Sequence, residues 1–206
     1  VQVINHSFAN ASLVKLTQLP TTSIKDIYQS LLSLHKALPS ISQPEHIAVI
    51  LSTFEPNIEL LSLSIESILN QSYQNLALYV VDDASSNGSD IKALIDTKAD
   101  PRVHYLKISE NSGVYNCRNY AIMKSNSDYI AFQDDDDISH PQRLEYQLQQ
   151  LKTKSIDVSM TSSLRIDESG YLQMDNNQSI ISNAPVTMSM QALSTHRLFC
   201  RLRSEE

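Results

Sequence analysis

The chain has 206 residues, of which 41% are hydrophobic and 19% are charged, and its formal net charge at pH 7 is −7. This balance is typical of one sizeable globular domain with room for an appendage. The acidic charge argues against a nucleic-acid partner. With only three glycines, the chain contains neither a GxGxxG loop nor a Walker A loop.

The cysteine content and the hydropathy suggest where the protein works. Cys117 and Cys200 lie far apart without a CxxC pair, which argues against a disulfide scaffold or a zinc site and favours free thiols in a reducing compartment. No apolar run reaches the roughly 18 residues of a membrane span, and no signal peptide opens the chain. We therefore expect a cytoplasmic protein that can lie peripherally at the inner face of the membrane.

Residues 1–44 are expected to form an N-terminal helical extension and a linker. Apolar residues recur at helical spacing over Ile24–Leu38, and Pro39 ends the pattern. Proline and serine over 39–44 are typical of a linker. A second domain is then predicted over 45–206.

Short apolar runs alternate with helical patterns in this second domain. The runs cover Ile47–Ser52, Leu76–Val81, Val103–Leu106 and Tyr129–Phe132, and the helical patterns between them cover Ile58–Asn70, Asp90–Lys98 and Val114–Lys124. Continuous apolar runs rich in β-branched residues are typical of strands buried in a parallel sheet. The alternation predicts an α/β fold with a mostly parallel sheet flanked by helices, in which ligands bind at the carboxyl ends of the strands.

The pattern is weaker after the fourth run. A helix is expected from Pro141 to about Leu151, followed by a fifth strand over Ile156–Met160. A hairpin is expected in which 163–166 pairs with 171–174. The spacing of apolar residues over 189–202 is weakly helical.

Four consecutive aspartates, Asp134 to Asp137, follow the run that ends at Phe132. Like charges this close raise one another's pKa unless they share a positive partner, and carboxylate ligands favour Mg²⁺, Mn²⁺ or Ca²⁺ over zinc. A solvated acidic turn is the other interpretation of such a run. Asp82 and Asp83 end a second strand at the same predicted edge, which favours one metal-assisted site for a ligand rich in oxygen.

Five motifs follow one another along the chain. They are Ile47-Ala-Val-Ile-Leu-Ser-Thr-Phe54, Val80-Val-Asp-Asp-Ala-Ser85, Asn111-Ser-Gly-Val-Tyr-Asn-Cys-Arg-Asn-Tyr-Ala121, Tyr129-Ile-Ala-Phe-Gln-Asp-Asp-Asp-Asp137 and His140-Pro-Gln-Arg-Leu144. In this order they resemble the motifs of the family 2 glycosyltransferases, which have the Rossmann-like GT-A fold. The resemblance covers roughly 46–150, the donor half, and leaves a partial acceptor half over 151–206.

The resemblance implies an inverting transferase in surface polysaccharide assembly. Its donor would be a nucleotide-sugar, a UDP-sugar by default, and its acceptor a glycan or a lipid-linked glycan. The divalent metal would be Mn²⁺ or Mg²⁺. It would neutralise the charge that develops on the departing diphosphate, as a Lewis acid and a template.

The resemblance also implies roles for individual residues. The turn of Thr53, Phe54 and Glu55 would border the nucleotide base, and Asp82 would hydrogen-bond the uracil ring with Asp83 beside it. The other donor-binding residues would be Gly113, Arg118, Asp134 and Asp135. The metal ligands would be Asp136 and Asp137, with the register of the D-x-D motif open by one residue.

An inverting transferase also needs a general base that deprotonates the acceptor hydroxyl. In the family this base is a carboxylate well downstream of the D-x-D motif, and here the chain ends about where that region begins. The catalytic residue is therefore unknown. We expect it beyond Glu206, with Glu205 as the weaker candidate.

Two alternatives to an active transferase stay open. One is a non-catalytic or truncated module that binds a nucleotide-sugar without turnover. The more remote one is a phosphohydrolase of the haloacid dehalogenase type, which also places D-x-D after a strand. That class gives no role to the Asp82-Asp83 pair.

Overall fold

The structure is a computed structural model that describes residues 45–154, 157–161, 165–166, 172–173 and 198–201. The predicted N-terminal extension and linker over 1–44 lie outside these residues, as do Glu205 and Glu206. The division of the chain into two domains therefore stays a prediction.

The described part of the chain contains eight strands and four helices. The strands are β1 (Ile47–Thr53), β2 (Leu76–Asp82), β3 (Val103–Lys107), β4 (Tyr129–Asp134), β5 (Val158–Met160), β6 (Arg165–Ile166), β7 (Leu172–Gln173) and β8 (Leu198–Arg201). The helices are α1 (Ile58–Leu69), α2 (Gly88–Lys98), α3 (Val114–Lys124) and α4 (Arg143–Lys154). The four predicted apolar runs are confirmed as β1 to β4, and the predicted hairpin is confirmed as the pair β6–β7.

Six strands form one sheet in the order β3-β2-β1-β4-β8-β5. The strands β3, β2, β1 and β4 are parallel, whereas β8 runs antiparallel to both β4 and β5. The expectation of a mostly parallel sheet is confirmed. The helical expectation for 189–202 is wrong at Leu198–Arg201, because this segment pairs with two strands distant in sequence.

Helices cover both faces of the sheet. Alternate residues of β1 point to opposite faces. Its odd-numbered apolar residues share a core with α1, α2 and α4, whereas Ala48 and Ile50 pack with Cys117 and Ala121 of α3. This double coverage explains why β1 is apolar at nearly every position. In the described part of the chain, none of the helices is long and apolar enough to cross a membrane.

The helices begin where side chains or turns satisfy their free backbone groups. Oδ1 of Asn57 accepts hydrogen bonds from the backbone N–H groups of Glu59 and Leu60 at the start of α1. The start of α2 was predicted at Asp90, but the helix begins at Gly88 and Asp90 lies in its first turn. α4 likewise begins at Arg143, slightly later than predicted.

The register of the parallel strands brings their carboxyl ends together. Thr53 of β1 lies opposite Asp82 of β2, and Ser52 lies opposite Asp134 of β4. The backbone N–H of Asp83 donates to the carbonyl of Thr53 at 2.9 Å, which extends the pairing one residue beyond β2. Acidic residues from two strands therefore flank β1 at one edge of the sheet.

Candidate functional site

A cleft of about 320 Å³ opens where β1 and β4 end. This volume is typical of a small-molecule site. The cleft is lined by Ser52, Thr53, Phe54, Asp83, Val114, Cys117, Asp134, Asp135 and Asp136. Among the residues predicted for the site, those outside this lining are Glu55, Asp82, Gly113, Arg118 and Asp137.

Asp134 forms an ion pair with Arg118 of α3. Nη2 of Arg118 lies 3.1 Å from Oδ1 of Asp134, and the guanidinium lies 4.6 Å from the centre of the Phe132 ring. The Arg118 side chain is mostly buried, whereas that of Asp134 is half-exposed. Stacking and burial together hold the guanidinium in place. Arg118 thereby offsets part of the negative charge that the aspartates bring to the cleft.

The surroundings of Asp135 raise the pKa of its carboxyl group. Burial raises its pKa, and the charges of Asp136 and Asp134 raise it further, against the opposing effect of the hydrogen bond from Thr53. That bond joins Oγ1 of Thr53 to Oδ2 of Asp135 over 2.6 Å. A carboxylate crowded in this way is stabilised by a positive partner.

Asp136 and Asp137 differ in where they lie. Asp136 is exposed and lines the cleft, whereas Asp137 does not line it. The backbone N–H of Asp137 donates to the carbonyl of Asp134 at 3.3 Å, so the four aspartates form a tight turn. We refer to Asp134–Ser139 as the acidic loop.

The acidic loop fits a hard divalent cation. Among the described residues, no group of three or more His, Cys, Asp or Glu side chains could by itself hold a metal ion. Mg²⁺ is commonly held by one or two carboxylates together with the phosphates of its substrate, so a full protein cage is not required. The carboxylates of Asp134, Asp135 and Asp136, which share one cleft, are ligands of the right chemical class.

Asp83 fixes the wall of the cleft opposite β4. Its Oδ1 accepts hydrogen bonds from the backbone N–H and the hydroxyl of Ser112, and its Oδ2 accepts one from the N–H of Gly113 at 2.8 Å. Gly113 has a φ of 86°, a conformation that glycine adopts without strain. Gly113 thus forms the turn that leads into α3, and its predicted contact with a donor stays a prediction.

Cys117 is buried beside Asp83. Burial and the charge of Asp83 raise the pKa of its thiol to about 12. The group is therefore a neutral thiol at physiological pH, which argues against a nucleophilic role because nucleophilic cysteines react as thiolates.

Asp82 is enclosed by the protein. Its Oδ1 accepts a hydrogen bond from the N–H of Ser85 at 2.8 Å, and its Oδ2 accepts one from the hydroxyl of Tyr105 at 2.7 Å. Nζ of Lys107 lies 3.5 Å from the same oxygen, and the side chain of Asp82 is 0% exposed. Both oxygens are thus engaged inside the protein, and a contact between Asp82 and a uracil ring stays a prediction.

The loops after β1 and β2 hold each other in strained conformations. Glu55 has a φ of 49° and Ala84 one of 62°, values that are uncommon outside glycine. The carboxylate of Glu55 accepts hydrogen bonds from the N–H and the hydroxyl of Ser86. Glu55 therefore joins the two loops, while the neighbouring Phe54 remains 51% exposed at the rim of the cleft.

Buried polar residues behind the acidic loop are not among the residues predicted from the sequence. Gln133 is fully buried at the end of β4 and bonds to Ser64 of α1 and to Ser139. A glutamine at a position where the strand's alternation calls for an apolar side chain was the available signal.

Comparison with known proteins identifies relatives. The family model described as Glycosyl transferase family 2 matches residues 48–200. An uncharacterized glycosyltransferase of Rickettsia bellii is 37% identical over 150 residues, which are 66% of this chain and 21% of that protein. A putative teichuronic acid biosynthesis glycosyltransferase of Bacillus subtilis is 35% identical over 99 residues, which are 48% of this chain and 39% of that protein.

A solved structure shows a similar fold. The mannosyltransferase of Pyrobaculum calidifontis, determined in complex with GDP-Man and Mn²⁺, matches 76% of this chain and 44% of its own length with a TM-score of 0.52 and 18% identity. This likeness confirms the expected GT-A fold and nothing finer. The chain spans about a fifth to two fifths of the length of the curated relatives named here.

Proposed function

Because the chain belongs to glycosyl transferase family 2, we propose that it transfers a sugar from a nucleoside-diphosphate donor to a hydroxyl group of a glycan or lipid-linked glycan. The donor is a UDP-sugar, the reaction inverts the anomeric centre, and Mn²⁺ or Mg²⁺ assists it. The observation that carries this proposal is the cleft in which the Asp134–Asp136 carboxylates face the β1 turn.

The acidic loop is the place for the cation and the diphosphate. Asp136, with Asp134 or Asp135, would hold the cation. When bound, it would act as a Lewis acid that neutralises the charge on the leaving diphosphate. Thr53 fixes the orientation of Asp135 through a 2.6 Å hydrogen bond, and Arg118 holds Asp134. These contacts orient the carboxylates before the donor arrives.

The nucleoside is proposed to occupy the side of the cleft formed by the loops after β1 and β2. Phe54 presents an exposed aromatic side chain there, and an aromatic face is a favourable platform for a nucleobase. The positive φ of Glu55 and its bonds to Ser86 keep this turn in one conformation. A rigid turn lowers the entropy that donor binding must overcome.

The acceptor and its pathway are inferred from the relatives. The B. subtilis relative is described as a putative teichuronic acid biosynthesis glycosyltransferase. An Escherichia coli relative, 38% identical over 81 residues, is described as a putative colanic acid biosynthesis glycosyl transferase; the match covers 39% of this chain and 29% of that protein. These descriptions support a role in surface polysaccharide assembly. A lipid-linked acceptor would bring this protein to the inner face of the cytoplasmic membrane.

Calorimetric titration of the protein with UDP, GDP, dTDP and CDP, each with and without Mn²⁺, tests the proposal. We expect UDP to bind in the presence of Mn²⁺ and to lose most of its affinity without it. Binding of GDP in preference to UDP would show that the donor is not a UDP-sugar, but it would support the proposed nucleotide site. If none of the nucleotides binds, the proposed donor site is wrong.

A further inference from the structure

Gln133 is an amide buried where the strand pattern calls for an apolar residue. In β4, Tyr129 and Ala131 belong to the core shared with α1 and α4, and Gln133 follows them on the same face. It is 0% exposed. Burying an amide costs free energy unless its polar atoms find hydrogen-bond partners. The identity of those partners therefore indicates what the residue does.

All the polar atoms of Gln133 bond to the acidic loop or to α1. Its Nε2 donates to the carbonyl of Asp137 at 2.6 Å and to Oγ of Ser64 at 3.1 Å. Its Oε1 accepts a hydrogen bond from the hydroxyl of Ser139 at 2.7 Å. The side chain of Gln133 thus connects Asp137 and Ser139 to each other and to α1.

Two serines of α1 hold the two ends of the acidic loop. The hydroxyl of Ser64 donates to the carbonyl of Asp134 at 2.8 Å. Oγ of Ser67 accepts a hydrogen bond from the N–H of Ser139 at 3.1 Å. Both serines are buried, and neither lines the cleft. The loop is therefore held from its inner side, away from the carboxylates that face the cleft.

Gln71, which follows the end of α1, fixes the residues that come after the loop. Nε2 of Gln71 donates to the carbonyl of His140 at 2.8 Å, and its Oε1 accepts a hydrogen bond from the N–H of Leu144 in α4. Gln71, His140 and Leu144 are all buried. A continuous set of hydrogen bonds thus runs from the end of β4 to the start of α4.

This network opposes the repulsion among the aspartates. Neighbouring carboxylates repel, and a loop free to move would separate them. Hydrogen bonds to the carbonyls of Asp134 and Asp137 restrict that movement. On the basis of the proposed function, we propose that Gln133, Ser64 and Ser139 are positioning residues that hold the acidic loop ready for a cation and a diphosphate.

The test replaces Gln133 by a side chain of similar size without polar atoms. Gln133→Met keeps the packing and removes the bonds to Asp137, Ser64 and Ser139. Gln147→Met is the matched control, because Gln147 is also fully buried but donates to the carbonyl of Ser159, outside the acidic loop. Denaturant unfolding measures how much stability each variant loses.

Two readouts separate positioning from simple stabilisation. Under conditions in which both variants are folded, hydrogen exchange over 134–139 should be faster in Gln133→Met than in Gln147→Met. The Mn²⁺-dependent affinity for UDP should fall by about 10- to 100-fold in Gln133→Met, the usual effect of removing a group that orients metal ligands. Gln147→Met should bind as the parent protein does.

A second pair of variants tests the connection to α1. Ser64→Ala removes the bonds to Asp134 and Gln133, whereas Ser62→Ala removes a hydroxyl of the same helix that bonds to Glu66 and Lys98. The effects of Ser64→Ala and Gln133→Met on UDP affinity should be non-additive, because the two residues share one hydrogen bond.

The outcomes distinguish this inference from the proposed function. The positioning role is wrong if Gln133→Met matches Gln147→Met in both exchange and affinity. If the parent protein binds no nucleotide, the proposed function fails. In that case, unchanged hydrogen exchange over 134–139 in Gln133→Met would also overturn the proposal that Gln133 orders the acidic loop. Faster exchange would uphold that part of the proposal.

Discussion

Asp136 and Asp137 were both predicted as metal ligands, yet Asp136 lines the cleft and Asp137 does not. We expect Asp136→Asn to lower the Mn²⁺-dependent affinity for UDP by about 100-fold, or about 2.8 kcal/mol, because the amide lacks the negative charge of a carboxylate ligand. Asp137→Asn should have a smaller effect. Calorimetric titration of both variants is the measurement, and a greater loss in Asp137→Asn would shift the assignment by one residue.

Asp82 links stability to pH through its hydrogen bonds. Burial alone would raise its pKa, but the bonds from Tyr105 and Ser85 and the charge of Lys107 outweigh that effect and lower the pKa below its ordinary value. A lowered pKa adds stability above the unfolded pKa, and this stability is lost as the pH falls through the folded pKa.

Tyr105→Phe should therefore destabilise the protein by about 1.5 kcal/mol at neutral pH, the contribution of a hydrogen bond to a charged group. The difference should shrink on acidification below the ordinary pKa of aspartate, about 3.9. Urea unfolding at several pH values measures it. Tyr79→Phe is the control, because Tyr79 contacts His104 through its ring, and phenylalanine keeps that ring. A difference independent of pH would contradict the role given to Asp82.

Single residues of the site could be predicted only in part. The sequence shows which carboxylates end β2 and β4, and parallel pairing brings those ends together. Whether a carboxylate faces the cleft depends on residues far along the chain. Asp82 is enclosed by Tyr105 and Lys107 of β3, which no local pattern connects to it.

At the level of elements, the end of α2 carries local strain. Ala99 follows the helix with a φ of 48° and a ψ of 31°, the left-handed conformation that glycine favours. Ala99→Gly should raise stability by about 1 kcal/mol, because L-residues are penalised there. Ala93→Gly, at an exposed position inside α2, should lower it by about as much. Denaturant unfolding of both variants checks the signs, and a destabilised Ala99→Gly would refute the strain.

The central strands could be predicted because each one is a continuous apolar run in the sequence. A strand covered by helices on both faces must be apolar throughout, and β1, β2 and β4 have this property in the sequence. β8 has no such signature. It is defined by its antiparallel pairing with β4 and β5, and pairing between distant segments cannot be read from the spacing of apolar residues.

At the level of the whole molecule, strand order explains where the cleft forms. The chain proceeds from β1 to β2 and β3 on one side, then returns to add β4 on the other side of β1. After β1 the chain continues to β2 on one side, and after β4 it continues to β5 on the other, so a crevice forms between the carboxyl ends of β1 and β4. The position of the site follows from this reversal. The alternation of strands and helices in the sequence predicts a parallel sheet but does not give the order of its strands.

Donor binding should stabilise the entire fold, because residues of β1, β4 and α3 line the cleft. At about 100 times the dissociation constant, UDP with Mn²⁺ should add about 2.7 kcal/mol, or about 5 to 10 °C in Tm for a domain of this size. Thermal unfolding followed by circular dichroism measures this shift. Asp136→Asn should show little of it, and an equal shift in that variant would place binding elsewhere.

Anomalous X-ray diffraction from crystals grown with UDP and Mn²⁺ would show directly where the cation and the nucleotide bind. We expect one strong peak in the cleft within coordination distance of a carboxylate oxygen of Asp136, with the diphosphate beside it and the uracil ring near Phe54. A cation bound away from the acidic loop, or a nucleotide bound outside the cleft, would contradict the account.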